Sequence, residues 1–407
     1  MTTKLQTYPK YKDSGVEWFD RIPLEWKTIR NLGIFSERIE RAKGGEELLS
    51  VSISRGVTKQ SELENEKDSS NDDKSNYKIT EPNDIAYNKM RMWQGAVGVS
   101  RYHGIVSPAY IILKPKSGVE PRYLHYQYKT QVYNELSYQY GHGIVDDQHS
   151  LRYWQFKALH SILPPLNTQQ RIADFLDGKT KIVDELIEKK EKLIALLREK
   201  RTALITRAVT KGLDPRATLK PSGVEWLGRI PAGWKLKRLK FIARLQYGES
   251  LSNENREIGE VQVYGSNGPV GVHSEANTKA PAIIVGRKGS FGAVNYTGKA
   301  VFAIDTTYFV DERWSKDDLK WLSYCMSVAN LNDISFDTGV PGLSREAVHN
   351  KLFPLPNVRE QKQVADFLDT ETAKIDKAVA LIEAQIEKLK EYRSSLIYSA
   401  VTGKIKI

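Results

Sequence analysis

The side chains best suited to chemistry in this sequence are hydrogen-bond donors on two short basic turns. The first turn reads Lys89-Met90-Arg91-Met92-Trp93-Gln94-Gly95, the second Gly286-Arg287-Lys288-Gly289-Ser290-Phe291-Gly292. Each carries cations, an aromatic ring and a hydrogen-bonding side chain. Arg and Lys hold phosphates or bond guanine O6 and N7, and Gln94 has the amide fork for adenine N6 and N7. Lys89, Arg91, Trp93 and Gln94 are therefore candidates for contact with nucleic acid, with Arg101 and Tyr102 just downstream. Arg287, Lys288 and Ser290 are the counterparts in the second turn, joined by Tyr264, Ser266 and Asn267 of a Val-Tyr-Gly-Ser-Asn-Gly run. The plain alternative is a solvated loop with its aromatic folded into the core. Recurrence of the pattern at matched positions favours contact.

Patterns for covalent chemistry are missing from the sequence. Pro164-Pro165 is the one Pro-Pro pair, and it sits in Leu-Pro-Pro-Leu, not in the Asn-Pro-Pro-aromatic motif of base amino-methylation. Gly178-Lys179-Thr180 looks like the end of a P-loop, but Ala173 stands where the leading glycine belongs. Acidic triplets such as Asp72-Asp73-Lys74 and Asp318-Leu319-Lys320 are expected by chance in a chain that is 27% charged, which leaves a nuclease reading weak. His142 and His149 flank Asp146-Asp147, but without metal-ligand spacing, so no metal site is expected. One cysteine, Cys325, excludes an internal disulfide framework and a cysteine-based zinc site. The net charge of +11 points to an anionic partner, most often nucleic acid. No apolar run approaches the ~20 residues of a membrane span, so the expected setting is cytoplasmic, with no membrane partner.

The elements that position the two turns are duplicated. Ser14-Gly15-Val16-Glu17-Trp18, with Ile22-Pro23 and Trp26, recurs as Ser222-Gly223-Val224-Glu225-Trp226, with Ile230-Pro231 and Trp234. Ala173-Asp174-Phe175-Leu176-Asp177 recurs as Ala365-Asp366-Phe367-Leu368-Asp369. Gly95-Ala96-Val97 pairs with Gly292-Ala293-Val294. The ends of the two repeats are alike and the middles diverge. The polar stretch 58–76 reads as an exposed loop that lengthens the first middle. Strand-like runs at 48–53, 85–87, 109–113, 282–285 and 307–310, with helical runs at 121–137 and 316–329, make both modules mixed α/β (α+β).

Each repeat closes on a long proline-free helix, about 169–208 and 360–400. Val183, Ile187, Ile194, Leu197 and Leu204 form a heptad seam in the first, and Ile375, Val379, Ile382, Ile386, Leu389 and Leu396 in the second. A sustained 3.5 period predicts that the helices pack on each other as an antiparallel pair with pseudo-twofold symmetry. Lys190, Arg201 and Arg393 fall on the seam, where they must snorkel, pair with acids or meet another protein. The expected organisation is a globule at 1–167, a helix at 168–210, a second globule at 211–357 and a helix at 358–407.

The order and duplication of these motifs resemble the specificity subunit of type I restriction-modification systems. The resemblance spans essentially the whole chain. It rests on the paired openings, on the exits Leu163-Pro164-Pro165-Leu166…Gln169-Gln170…Asp177 and Leu355-Pro356…Glu360-Gln361…Asp369, and on the run 88–97. One departure is Gln169-Gln170 at the first exit, where Glu-Gln is usual. The resemblance implies two target recognition domains, each reading one half of a bipartite site in double-stranded DNA. It implies a helix pair that sets the spacer and docks two methyltransferase (M) subunits, with restriction (R) subunits added. S-adenosylmethionine, ATP and Mg would belong to those partners, with no cofactor and no catalysis in this chain. The competing readings are an orphan two-headed DNA-binding scaffold and a self-contained nuclease.

Overall fold

The computed structural model describes residues 6–53, 55–62, 73–143, 149–334 and 342–407. Asp72, Asp146, Asp147 and most of the polar stretch 58–76 lie outside the described residues. Packing divides the chain into two compact units: Met1–Lys189 with Ala384–Ile407, and Lys190–Glu383. The boundaries fall within the two long helices, so each unit owns a globular module and a stretch of both helices.

In the first unit a four-stranded antiparallel sheet runs in the order Phe35–Glu37, Tyr110–Pro115, Ile85–Asn88, Val97–Val99. The second unit repeats that order with Gln246–Tyr247, Thr307–Asp311, Ala282–Gly286, Val294–Thr297. Ala282–Gly286 is buried at every position, as a strand covered on both faces must be. This accounts for its unbroken apolar run where an alternating pattern would mark a half-solvated strand. The divergent middles build different additions. The first unit adds a hairpin, Leu49–Ser52 with Gly56–Lys59, and the pair Lys78–Thr80 with Gly104–Val106. The second adds a three-stranded sheet of Gly268–His273, Val261–Gly265 and Phe302–Ala303.

The helical run expected over 121–137 is two helices, Pro121–Tyr128 and Gln131–Tyr140. Thr130 breaks it: its hydroxyl accepts from the Tyr133 N–H and caps the second helix. The second-module run narrows to Leu319–Ser327, capped by Asp318 through the Trp321 N–H at 2.8 Å. Asp318 therefore has a structural task, which removes it from the weak nuclease reading.

The duplicated openings are sockets. Ser14 and Ser222 each close a tight turn onto the residue two further on, Val16 and Val224. Trp26 and Trp234 are almost wholly buried. Gly403, just past the C-terminal helix, lies against Pro23 and Trp26, and Gly212, just past the central helix, lies against Pro231 and Trp234. Each long helix thus ends on the opening motif of the module in its own unit. In the first unit that brings the chain ends together, with the Lys406 N–H donating to the Gln6 carbonyl at 2.7 Å.

The long helices span Leu166–Lys211 and Val358–Val401. Asn357 caps the second through the Glu360 N–H at 3.0 Å. Val183, Ile194, Ile375, Ile386 and Leu396 are buried, and Ile187, Leu197, Leu204, Val379, Ile382 and Leu389 are half-buried. In the first unit Arg393 makes a bidentate pair with Asp184, at 2.9 and 3.3 Å. In the second, Arg201 does the same with Asp376, at 2.8 and 3.2 Å. The two pairs are images of each other under the repeat. They define antiparallel packing of the helix stretches within each unit, and they resolve two of the three seam cations as ion-paired.

Candidate nucleic-acid interface

The duplicated exit motif fastens each module to its long helix. Gln169 is buried; its carbonyl accepts the Glu120 N–H at 2.9 Å, and its amide donates to the carbonyls of Gly118 and Pro164. Gln361 repeats this with the Asp318 N–H, the Asp317 carboxylate and the Pro356 carbonyl. Gln169 is therefore the counterpart of Gln361, and Glu360 corresponds to Thr168. The first exit thus carries Thr168-Gln169 where the second carries Glu360-Gln361. Eight residues on, Asp177 accepts from Tyr126 Oη at 2.7 Å and from Arg122 at 2.9 Å. Asp369 accepts from Tyr324 Oη at 2.8 Å and pairs with Lys320. Burial is the main cause that pushes the Tyr324 hydroxyl up to about 12, so it stays a donor at neutral pH.

On these scaffolds the two turns occupy matched places, each following the strand that lies third in its sheet. Gly95 and Gly292 both adopt left-handed backbone, at φ 81° and 82°, which favours glycine. In the first turn Met92 is buried as the anchor, and Asn88 Oδ1 accepts the Met90 N–H at 2.9 Å. The Leu151 N–H donates to the Lys89 carbonyl at 2.7 Å and holds the turn from behind. Arg91 and Gln94 are exposed; Lys89 and Trp93 are half-buried. Trp93 packs edge-on against Tyr138, which stacks on His149 at 4.5 Å. The sequence reading missed this stack because the partners lie on a separate helix and loop. Arg101 is exposed, and Tyr102 sits under Lys59 at 5.3 Å. Among the described residues no hydrogen bond or ring contact ties Arg101 or Tyr102 to the Lys89–Gln94 turn.

A groove of about 960 Å3 runs beside the first turn, from Gln94 and Gly95 to Lys129, Asp184 and Arg393. Burial, with the Arg393 charge second, brings the Lys129 ammonium down to about 8. Lys129 donates to the Ile53 carbonyl at 2.9 Å. His142 Nδ1 lies 2.9 Å from the Gln155 amide, and among the described residues no group of three or more His, Cys, Asp and Glu is placed to hold a metal.

In the second module three expected residues converge on one carbonyl. The Arg287 and Lys288 N–H groups and the Ser266 hydroxyl all donate to Thr306 O, at 2.8, 3.2 and 2.7 Å. Lys288, Ser290 and Asn267 are exposed, and Arg287 is half-buried. Tyr264 is different. It is 8% exposed and packs in a core cluster with Ala282, Ile284 and Phe309. Its ring serves the fold, a correction to its place among surface contacts. The structure adds two residues that no local signal marked: Tyr247 and Arg345, which gather around Arg287.

Residues 231–391 match the family described as Type I restriction modification DNA specificity domain. Those residues, in the second module and its helix, are similar to that domain. The resemblance of the chain to type I specificity subunits extends beyond them. It is 23% identical over 361 residues to the MjaVIII specificity subunit of Methanocaldococcus jannaschii, covering 81% of this chain and 80% of that one. It is 22% identical over 178 residues to the EcoDI specificity subunit of Escherichia coli, covering 44% of this chain and two-fifths (40%) of that subunit's length. The fold matches a chain solved in work on complex assembly and conformational transition of the type I R-M system, with TM-score 0.72 and 12% identity over 93% of this chain and 98% of that one. It also matches the HsdS subunit from Thermoanaerobacter tengcongensis, with TM-score 0.51 and 15% identity over 94% and 98%. Among the described residues no helix is long and apolar enough to cross a membrane.

Proposed function

We propose that each module reads one half of a two-part sequence in double-stranded DNA. The pair of long helices fixes the gap between the halves and docks two methyltransferase subunits, to which restriction subunits add. This chain selects the site and does none of the chemistry. S-adenosylmethionine, ATP and Mg act in the partners.

The observation that carries this reading is a frame repeated in both modules around two different turns. Both modules use the same sheet order and the same Gln and Asp fastenings. The matched turns present different donors: Arg91 and Gln94 in one, Arg287, Lys288 and Ser290 in the other. Two different readers on one chain multiply modest specificities, because the second contact is intramolecular once the first is made. Each wrong base then costs about 1–3 kcal/mol.

The test is methylation mapping. The chain is expressed with the modification subunit encoded beside it, and host DNA is sequenced for methyladenine. The expected result is one bipartite motif with a fixed gap. Exchange of residues 211–357 for another module should change one half alone. An assembled complex that leaves DNA unmethylated, or a motif in which both halves change on exchange, overturns the reading.

A further inference from the structure

Tyr247 ends the strand Gln246–Tyr247 and stands opposite Tyr308 in the ladder. Its ring is 46% exposed and packs edge-on against Tyr308 at 5.1 Å. Two guanidinium groups lie over that ring. Arg287, from the basic turn, is 4.9 Å from the ring centre. Arg345, the first residue of the helix Arg345–Asn350, is 4.5 Å from it. Attraction to the ring face favours holding both cations there. Among the described residues neither guanidinium has an ion-pair partner.

Both arginines are also fixed at their roots. The Arg287 carbonyl accepts the Leu343 N–H at 2.8 Å, and its Nη1 donates to the Asp305 carbonyl at 3.2 Å. Ser344 caps the helix that carries Arg345. Further along that helix, His349 accepts the Leu245 N–H at 3.0 Å. Burial first, then the charges of Arg345, Lys240 and Arg244, push its imidazole pKa down. The patch is thus cationic, preorganised and rich in donors not committed to acids. An arginine plane held by an aromatic ring loses little freedom on meeting a flat two-acceptor edge.

We propose that Tyr247, Arg345 and Arg287 form one reading unit, which recognises the O6/N7 edge of a guanine in the half-site taken by the second module. Tyr247 is the positioning residue, and the arginines make the contact. This rests on the DNA-reading function proposed above.

The full-length chain is used to select duplexes from a random library, in wild-type form and as Arg345→Gln, Tyr247→Leu and Tyr247→Phe. Lys362→Gln, an exposed cation on the C-terminal helix, is the control. Wild type should select a two-part motif. Arg345→Gln and Tyr247→Leu should lose preference for guanine at one position of one half by about 5- to 150-fold. Tyr247→Phe, which keeps the ring face, should keep that preference, and Lys362→Gln should select as wild type. Retention of the other half-site by every variant reports that the chain is folded. An unchanged motif in Arg345→Gln and Tyr247→Leu overturns the inference. So does uniform weakening across all sequences, which marks a phosphate contact. If wild type selects no motif, the DNA-reading function itself falls, and this inference with it.

Discussion

Replacing Gln361 with leucine keeps the volume of a side chain that is 1% exposed but removes its three hydrogen bonds. Two of the abandoned groups are main-chain, the Asp318 N–H and the Pro356 carbonyl. Leaving a buried polar group unpaired costs about 1–3 kcal/mol, so the pair accounts for roughly 2–6 kcal/mol. For a unit of this size each kcal/mol moves Tm by about 2–4 °C, which gives an expected fall of roughly 4–24 °C in the transition that reports the second unit. The change should also be local. Hydrogen exchange at the Asp318 amide should accelerate by about 25-fold or more, since each 1.4 kcal/mol is about tenfold. The experiment is calorimetry of the full chain with peptide-resolved exchange, beside Gln169→Leu for the first unit and the exposed neighbour Gln170→Ala as control. A fall under about 2 °C with unchanged exchange at Asp318 would refute the fastening role of these glutamines.

Other outcomes follow from the same geometry. Reversing Arg201 and Asp376 together should restore most of the loss, about 0.2–1 kcal/mol, caused by either reversal alone; a double-mutant cycle with no coupling would contradict the cross-helix pair. Gly292→Ala should cost more than Gly95→Ala in denaturant unfolding, although both glycines have positive φ. A Cβ at 292 meets the Asn332 main-chain nitrogen at 2.8 Å, whereas at 95 the nearest atom is the movable Asn134 side chain at 3.5 Å. Burial first, then the charges of Lys129, Arg393 and Arg101, lower the His125 pKa to about 3. Between pH 6.5 and 3 the unfolded chain therefore binds the proton and the folded chain does not. The stability from this group is full above about pH 6.5 and declines as pH falls, by up to ~1.4 kcal/mol per pH unit. His125→Gln should flatten the dependence of the unfolding midpoint between pH 7.5 and 5.5, and an unaltered slope would count against the buried neutral imidazole.

What the sequence made legible was what repeats or has a period. The heptad seam follows from spacing alone, and the structure buries or half-buries all eleven seam residues. Arg201 and Arg393 stood out as seam cations, but their acids did not, because Asp184 and Asp376 lie off the seam and meet them only when the helices run antiparallel. The motif Ala-Asp-Phe-Leu-Asp was visible as a duplication, while its task was hidden. Asp177 and Asp369 act on tyrosines about fifty residues upstream, a distance that no local pattern encodes. Thr130 is the opposite case. A threonine followed by helix-forming residues is a capping signal, and it marked the break in the run 121–137.

The candidate interface divides along the same line. Residues on one turn were found together because the chain delivers them together. Tyr264 was misplaced because its polar-flanked run reads as a surface loop, whereas the strand Val261–Gly265 turns that ring into a core. Tyr247 and Arg345 were missed because their meeting depends on the register Tyr247↔Tyr308 and on the cap at Ser344. This division has a physical basis. The frame must be the same in both modules, so it leaves repeated letters in the sequence. Under the proposed function the reading surface differs between them, and its residues are drawn from separate elements of each divergent middle. A protein that has to change what it reads while keeping how it is built should write its frame in repeats and its specificity in tertiary contacts. Substitutions at Gln169, Gln361, Asp177 or Asp369 should then disturb folding in the unit they belong to, whereas substitutions at Arg91, Gln94, Arg287 or Arg345 should change selection and leave Tm within about 1–2 °C.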